Sequence, residues 1–260
     1  MYPRIFWLTD FSAQAAACAP SVASLARLLD VQVVLLHALS GLDGLRGPTW
    51  DDLESQAESL RAVGLTVAVR LEMASPAELI PQLGEGLLVV GRTGKSGLDR
   101  LLLGSTTSRI LRLAKNPVLV VGGKAFDALG AVLCAVDPDA PEAAPIRHAL
   151  GLARRAGARL CFLAVFPFTD NIDAASAVAR IRDVVEAAAP DEALDAVEVT
   201  FEAGYAPSPE DGITEVARDY DLVIMGGGTQ GRLASGLFGS VSDQVKTHGP
   251  VPVLVARERE

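Results

Sequence analysis

Residues 89–121, VVGRTGKSGLDRLLLGSTTSRILRLAKNPVLVV, and residues 223–256, VIMGGGTQGRLASGLFGSVSDQVKTHGPVPVLVA, follow one plan. Each opens on an apolar run, passes through a glycine-rich loop, meets a Gly-Ser step at the start of a helix-like stretch, and closes on a second apolar run behind a proline. Working outward, RIFWLTDFSAQAAACAPSVASLARLLDVQVVLLHA at 4–38 matches AVLCAVDPDAPEAAPIRHALGLARRAGARLCFLAV at 131–165, with Asp10 over Asp137 and Ala38 over Val165 at an offset of 127. Gly91 over Gly226 sets an offset of 135. The chain is one module written twice, and the difference between the offsets places an insertion in the middle of the second copy.

Within each copy, short apolar runs alternate with longer Ala-rich amphipathic stretches, the pattern of parallel strands joined by crossover helices. In the first copy the pattern predicts strands near 4–9, 32–38, 66–71, 86–91 and 117–122, with helices over 13–29, 49–63, 76–84 and 105–115. Ser75 before Pro76, with Glu78 behind, reads as an N-cap. Second-copy strands are expected near 131–136, 159–165, 196–202, 221–226 and 252–256. Continuous runs such as LLVV and LVIM suit strands covered by helices on both faces. Two doubly wound α/β domains of five parallel strands follow, residues 1–122 and 130–260, joined by a linker at 123–129. In such sheets ligands sit beyond the carboxyl ends of the strands where strand order reverses, so Thr9-Asp10-Phe11-Ser12 and the loop from Gly91 become neighbours.

The 260 residues divide into two units of ordinary domain size. Half are apolar, yet no run reaches the roughly 18 to 20 residues of a bilayer span. Asp10 interrupts the opening apolar stretch before it could serve as a signal core, which points to a cytoplasmic protein without membrane attachment. Cys18, Cys134 and Cys161 show no Cys-x-x-Cys spacing and read as core residues, and His37, His148 and His248 form no local ligand pair. A net charge of −9 repels polyanions, against nucleic-acid binding.

The chemistry concentrates in Gly91-x2-Gly94-x9-Gly104-Ser105. Glycines let backbone N–H groups wrap an anion, and a helix starting at Ser105 adds unpaired N–H groups and a positive dipole end. Between 91 and 115 lie Arg92, Lys95, Arg100, Arg109, Arg112 and Lys115 against the single acid Asp99, a local +5 in an acidic chain. Arg92 and Lys95 are the candidates for phosphate, whereas Arg112 and Lys115 suit the negative end of the helix. In the second copy Thr229 stands at the position of Gly94, and Gly227 and Gln230 replace Arg92 and Lys95. The second site is expected to be weak or empty, with Asp137, Val165, Gly226, Gly239 and Ser240 as its remnants.

Two motifs fail on position. Gly94-Lys95-Ser96 would need a glycine where Val89 stands to make a P-loop, and Gly226-x-Gly228-x2-Gly231 follows the fourth strand of its unit rather than the first. No histidine lies near Ser96, Ser105, Thr106 or Thr107 to act as a base, so chemistry beyond slow hydrolysis is not indicated. His37 at a strand end reads as a packed histidine.

The combination of TDFS at 9–12, LLHA closing the second strand, GRTG followed by Gly104-Ser105, and NPVLVV resembles the nucleotide-binding branch of the universal stress protein family over nearly the whole chain. The resemblance implies a flavodoxin-like fold and ATP accompanied by Mg²⁺ in the first copy. Thr9 and Asp10 would lie at the adenosine end, Ala38 would meet adenine through its backbone, and Gly91, Gly94, Gly104 and Ser105 would hold ribose and phosphates, with Thr106 and Thr107 beside them. It further implies an internal pseudo-dimer through the fifth strands, a homodimer as a further assembly, a loop around Gly41, Gly44 and Gly47 that orders on binding, and phosphorylation near Ser105 to Thr107. A slow ATPase or phosphotransferase in the same pocket, and a nucleotide-free assembly module, are the rival readings.

Overall fold

A computed structural model describes residues 1–39, 50–92, 103–169, 172–190, 194–227 and 249–257. The chain divides into two units, Met1–Ala128 and Leu129–Glu260. In the first, the order is β1 (Arg4–Leu8), α1 (Ala13–Ala16), α2 (Ala19–Leu29), β2 (Gln32–Ala38), α3 (Trp50–Arg61), β3 (Val67–Glu72), α4 (Pro76–Leu79), β4 (Leu87–Gly91), α5 (Ser105–Leu113) and β5 (Val118–Val121). All pairings are parallel in the order β3-β2-β1-β4-β5. The second unit contains β6 (Ala131–Ala135), α6 (Ala143–Ala156), β7 (Arg159–Pro167), α7 (Ala174–Ala188), β8 (Val199–Ala206), α8 (Pro209–Val216), β9 (Leu222–Gly226) and β10 (Val253–Ala256). Its order, β8-β7-β6-β9-β10, is also parallel throughout. Both sheets are thus doubly wound, with order reversing beside the first strand of each unit.

The central strands are apolar because both faces are covered. Ile5, Phe6 and Trp7 of β1 and Leu87 to Val90 of β4 are buried, as are Val132, Leu133 and Cys134 of β6. Burying one such side chain stabilises the fold by about 1.5–3 kcal/mol.

Three features depart from the sequence pattern. The helix expected over 13–29 is two helices, because Pro20 in the first turn of α2 has no N–H to donate back to Ala16, and the chain restarts at Cys18. The helix expected over 76–84 ends at Leu79 and tightens into one 3₁₀ turn, Ile80–Gln82. Its start is as read: Ser75 Oγ accepts from Glu78 N at 3.4 Å and the Glu78 carboxylate accepts from Ser75 N at 2.8 Å. The insertion in the second copy is not one block. The offset is 127 at the second strand (Gln32 against Arg159), 132 at the third (Val67 against Val199) and 135 at the fourth (Leu87 against Leu222).

The segment 123–129 carries packed side chains. Phe126 is buried, and its N–H donates to Ser21 Oγ at 3.1 Å within the first unit. In the second unit, one carboxylate oxygen of Asp221 accepts from Gly130 N at 2.8 Å and Ala131 N at 2.9 Å, fixing the entry to β6 beside β9.

All three cysteines are free and buried. Burial, with a smaller contribution from the Asp10 charge, pushes the Cys18 thiol up to about 12, and burial raises Cys134 and Cys161 as well. A thiol-reactive dye at neutral pH is expected to label none of the three cysteines in the native protein and all three in denaturant. Replacing Asp221 with Ala strands two backbone donors and is expected to cost about 1–3 kcal/mol, read from the urea midpoint.

Candidate functional site

The crevice of the first unit lies where β1 and β4 separate. Thr9 continues the β1 ladder by donating its N–H to Leu36 O at 2.9 Å, and then the chain turns sharply. Three local bonds shape the turn: Phe11 N donates to Thr9 Oγ1 at 3.1 Å, Ser12 N to Asp10 Oδ1 at 3.0 Å, and Ala15 N to Ser12 Oγ at 3.1 Å, capping α1. Phe11 carries this turn at a φ of 60°, a strained conformation for an aromatic residue. Strain of that kind concentrates at ligand sites.

His37 braces the same turn. Its Nδ1 lies 2.6 Å from Thr9 O. A carbonyl only accepts, so Nδ1 carries the proton. The ring is buried and meets Phe11 edge-on at 5.1 Å. His37 is the packed histidine that its place in the sequence predicted. Thr9, also buried, donates its hydroxyl to Gln56 Oε1 on α3 at 3.2 Å. Ala38 ends β2 half-buried, opposite Glu72 of β3.

Gly91 ends β4 under α1. A Cβ there would lie 3.0 Å from the Gln14 carbonyl and 3.2 Å from Ala15 N. The glycine is therefore explained by close approach of a helix backbone, a reason independent of any ligand. Its carbonyl accepts from the buried Thr107 hydroxyl at 2.8 Å. That bond ties the first turn of α5 to the end of β4 and commits the Thr107 hydroxyl to the fold. Sequence reasoning had placed it beside phosphates.

The start of α5 is tied to the end of β4, because Gly104 N donates to Arg92 O at 2.9 Å. Gly104 caps α5 at φ −58°, ψ 144°, a conformation open to any residue, with no side-chain cap bond and no acid in the first turn. Ser105 and Thr106 are exposed there. The Arg92 guanidinium folds over Gly122 at the end of β5, where a Cβ would overlap it. Burial lowers the pKa of Arg92 from its ordinary value, and the group remains charged. Arg109 and Arg112 are exposed along α5, and Lys115 is exposed just beyond its end. Gly94 and Lys95, like Gly41, Gly44 and Gly47, lie outside the described residues.

The second unit repeats the frame and changes its lining. Val136 N donates to Leu163 O at 2.9 Å, as Thr9 does to Leu36, and Asp139 N donates to Asp137 Oδ1 at 2.9 Å, as Ser12 does to Asp10. Pro138 replaces Phe11, and its ring excludes the positive φ used there. β7 pairs with β8 beyond Val165, through Phe166 and Pro167, whereas β2 stops at Ala38. Val165 packs where a Cβ on Gly212 of α8 would come within 2.7 Å of it. Gly226 ends β9, and Gly239 and Ser240 lie outside the described residues. Among the described residues no group of three His, Cys, Asp or Glu could hold a metal, and no helix is long and apolar enough to cross a membrane.

Two doubly wound units in tandem, each with its crevice at the carboxyl ends of the first and fourth strands, define the class as a duplicated flavodoxin-like α/β protein. The model of the universal stress protein family matches residues 1–122 and again 129–257. The chain belongs to that family. A universal stress protein of Mycolicibacterium smegmatis is 28% identical over 281 residues, spanning 96% of this chain and 95% of that one. A universal stress protein from Archaeoglobus fulgidus, 18% identical, shares the fold over 99% of this chain and 97% of its own, with a TM-score of 0.71. Another, crystallised in complex with cAMP, is 23% identical and covers 46% of this chain and 97% of its own, with a TM-score of 0.38.

Gly91→Ala is expected to cost about 1–3 kcal/mol by pressing on Gln14, and Thr107→Val about 1–2 kcal/mol by leaving the Gly91 carbonyl without its donor. Both appear as lowered melting temperatures without any ligand.

Proposed function

We propose that the first domain, residues 1–122, binds ATP and that the nucleotide-bound state is the signal of a stress-response regulator. The observation that carries this reading is the Gly104 N to Arg92 O bond. It sets the start of α5, free of acids and exposed at Ser105 and Thr106, at the end of β4 beside the turn of Thr9 and Asp10. Backbone N–H groups and the helix dipole suit phosphates there. Asp10 and the backbone of Ala38 lie toward the nucleoside end, and Gly94 and Lys95 complete the phosphate loop in this reading. Mg²⁺ would travel on the triphosphate, which needs few protein ligands.

The second domain, residues 130–260, connected through 123–129, is assigned a structural role. Pro138 for Phe11, the extended β7–β8 ladder and the packed Val165 support that assignment. With the Thr107 hydroxyl tied to Gly91, Ser105 and Thr106 are the exposed hydroxyls at the start of α5 that this reading assigns to phosphates or to phosphorylation. The protein is read as cytoplasmic, with a protein partner receiving the signal.

Native mass spectrometry with ATP and Mg²⁺ is expected to find one nucleotide per chain. Gly104 has a backbone conformation that valine can adopt, so Gly104→Val tests the cradle, with the melting temperature of the variant measured alongside to separate any cost at the helix cap. It should weaken calorimetric ATP binding at least about tenfold, the loss of roughly 1.4 kcal/mol. No binding by the unmodified protein overturns the reading, and sustained turnover abolished by Gly104→Val converts it to that of a slow ATPase.

A further inference from the structure

Charge in the first unit is segregated. The described residues between Gly86 and Phe126 include no acid, although the protein as a whole carries −9. Arg109 and Arg112 stand exposed on α5, and Lys115 stands exposed just past its end. Arginines on other elements find carboxylates: Arg61 pairs with Glu54 at 2.8 Å and Glu58 at 3.0 Å, and Arg180 pairs with Asp139 at 2.6 Å. Among the described residues, Arg109, Arg112 and Lys115 pair with none. The short helix α4 packs against α5, but its acid, Glu78, accepts from the Ser75 N–H and hydroxyl, each at 2.8 Å.

The module does not require this charge. A helix end favours cations through its dipole, yet the second copy, aligned by Pro252 over Pro117, has Gln244, Thr247 and Pro250 at the same three positions. Arg109 and Arg112 lie one turn apart on one face, where like charges repel. Leu113, 37% exposed, adds apolar surface to this end of the helix. The face is held rigidly from beneath. Thr107, Ile110, Leu111 and Ala114 are buried, the Thr107 hydroxyl is bonded to Gly91 O, and Asn116 Nδ2 donates to Gly84 O at 2.9 Å just past the end of the helix.

We propose that the outer face of α5, through Arg109, Arg112 and Lys115, is the docking surface for an acidic helix of a partner protein. Arg109 and Arg112 are separated by about 4.5 Å of helix rise, and carboxylates three or four residues apart on a facing helix match that spacing. Each guanidinium can take a carboxylate in a two-pronged hydrogen bond, and Leu113 meets the apolar flank of the same partner. A nucleic acid suits the patch less well. Its charge, one per about 1.7 Å of duplex, continues past these three side chains onto a protein of the same sign. The proposal concerns the outer face of α5 and holds whether or not the crevice takes a nucleotide.

The test is fluorescence anisotropy of the full chain with a labelled, end-capped peptide of about 15 residues, long enough to form a helix, carrying glutamates at one-turn spacing along one face. The wild type is expected to bind it saturably at low ionic strength and more weakly as salt is added. The triple variant Arg109→Glu, Arg112→Glu, Lys115→Glu should weaken binding at least about tenfold. Arg155→Glu, an exposed arginine in the last turn of α6, changes net charge elsewhere and should leave the affinity within about twofold. A peptide with glutamine for glutamate should not bind. Absence of saturable binding by the wild type overturns the proposal, as does binding that survives the triple variant or falls equally with Arg155→Glu. Tighter binding of a single-stranded oligonucleotide of equal charge overturns it in favour of a nucleic-acid surface. If the glutamate variant does not accumulate folded, the triple glutamine variant is read by the same criteria.

Discussion

Pairing of one strand with parallel neighbours on both sides is the constraint from which the rest follows. β1 holds β2 through Arg4 to Leu8 and β4 through Ile5 to Trp7, and β6 does the same with β7 and β9. Parallel neighbours require crossover connections, and right-handed crossovers leaving a central strand in opposite directions put helices on opposite faces. The chain therefore parts above β1 and β4, and a crevice opens there without any residue selected for it. Every site feature described is a way of lining that opening: the strained turn at Phe11, the helix backbone over Gly91, and the start of α5.

Residues tied into the fold and residues open to solvent are interleaved within a few positions. Gly91 and Thr107 are committed to joining α1, β4 and α5. Ser105 and Thr106, two and one positions before Thr107, face solvent. Such interleaving fixes the mouth of the crevice to the rigid sheet, and it means that a glycine in a recognisable motif is not evidence of ligand contact by itself.

Much of the fold was legible because strand assignment depends on near neighbours. Runs such as LLVV and LVIM stand out once both faces of a sheet are covered, and the repeat supplied a second reading of each element. The break at Pro20 was equally local and had been passed over in favour of the longer Ala-rich periodicity. The site was harder to read. The positive φ of Phe11 has no compositional mark, since glycine or asparagine is the usual sign of that conformation. Arg92 and Gly122 lie 30 residues apart and meet through the pairing of β4 with β5, which periodicity does not encode. Alignment of the copies compares equivalent positions, whereas the second unit carries Gly227 after β9 and its arginine, Arg257, after β10.

The place of that arginine is limited by the room on the strand beside it. At the first unit's pair, Gly122 has no room for a side chain while Arg92 lies on it. Arginine at both positions would crowd two like charges into one half-buried corner, and each copy carries a single arginine opposite a glycine. A side chain at position 122 would therefore push the Arg92 guanidinium aside, so the residue that leaves β5 sets where the charge at this end of the sheet can rest.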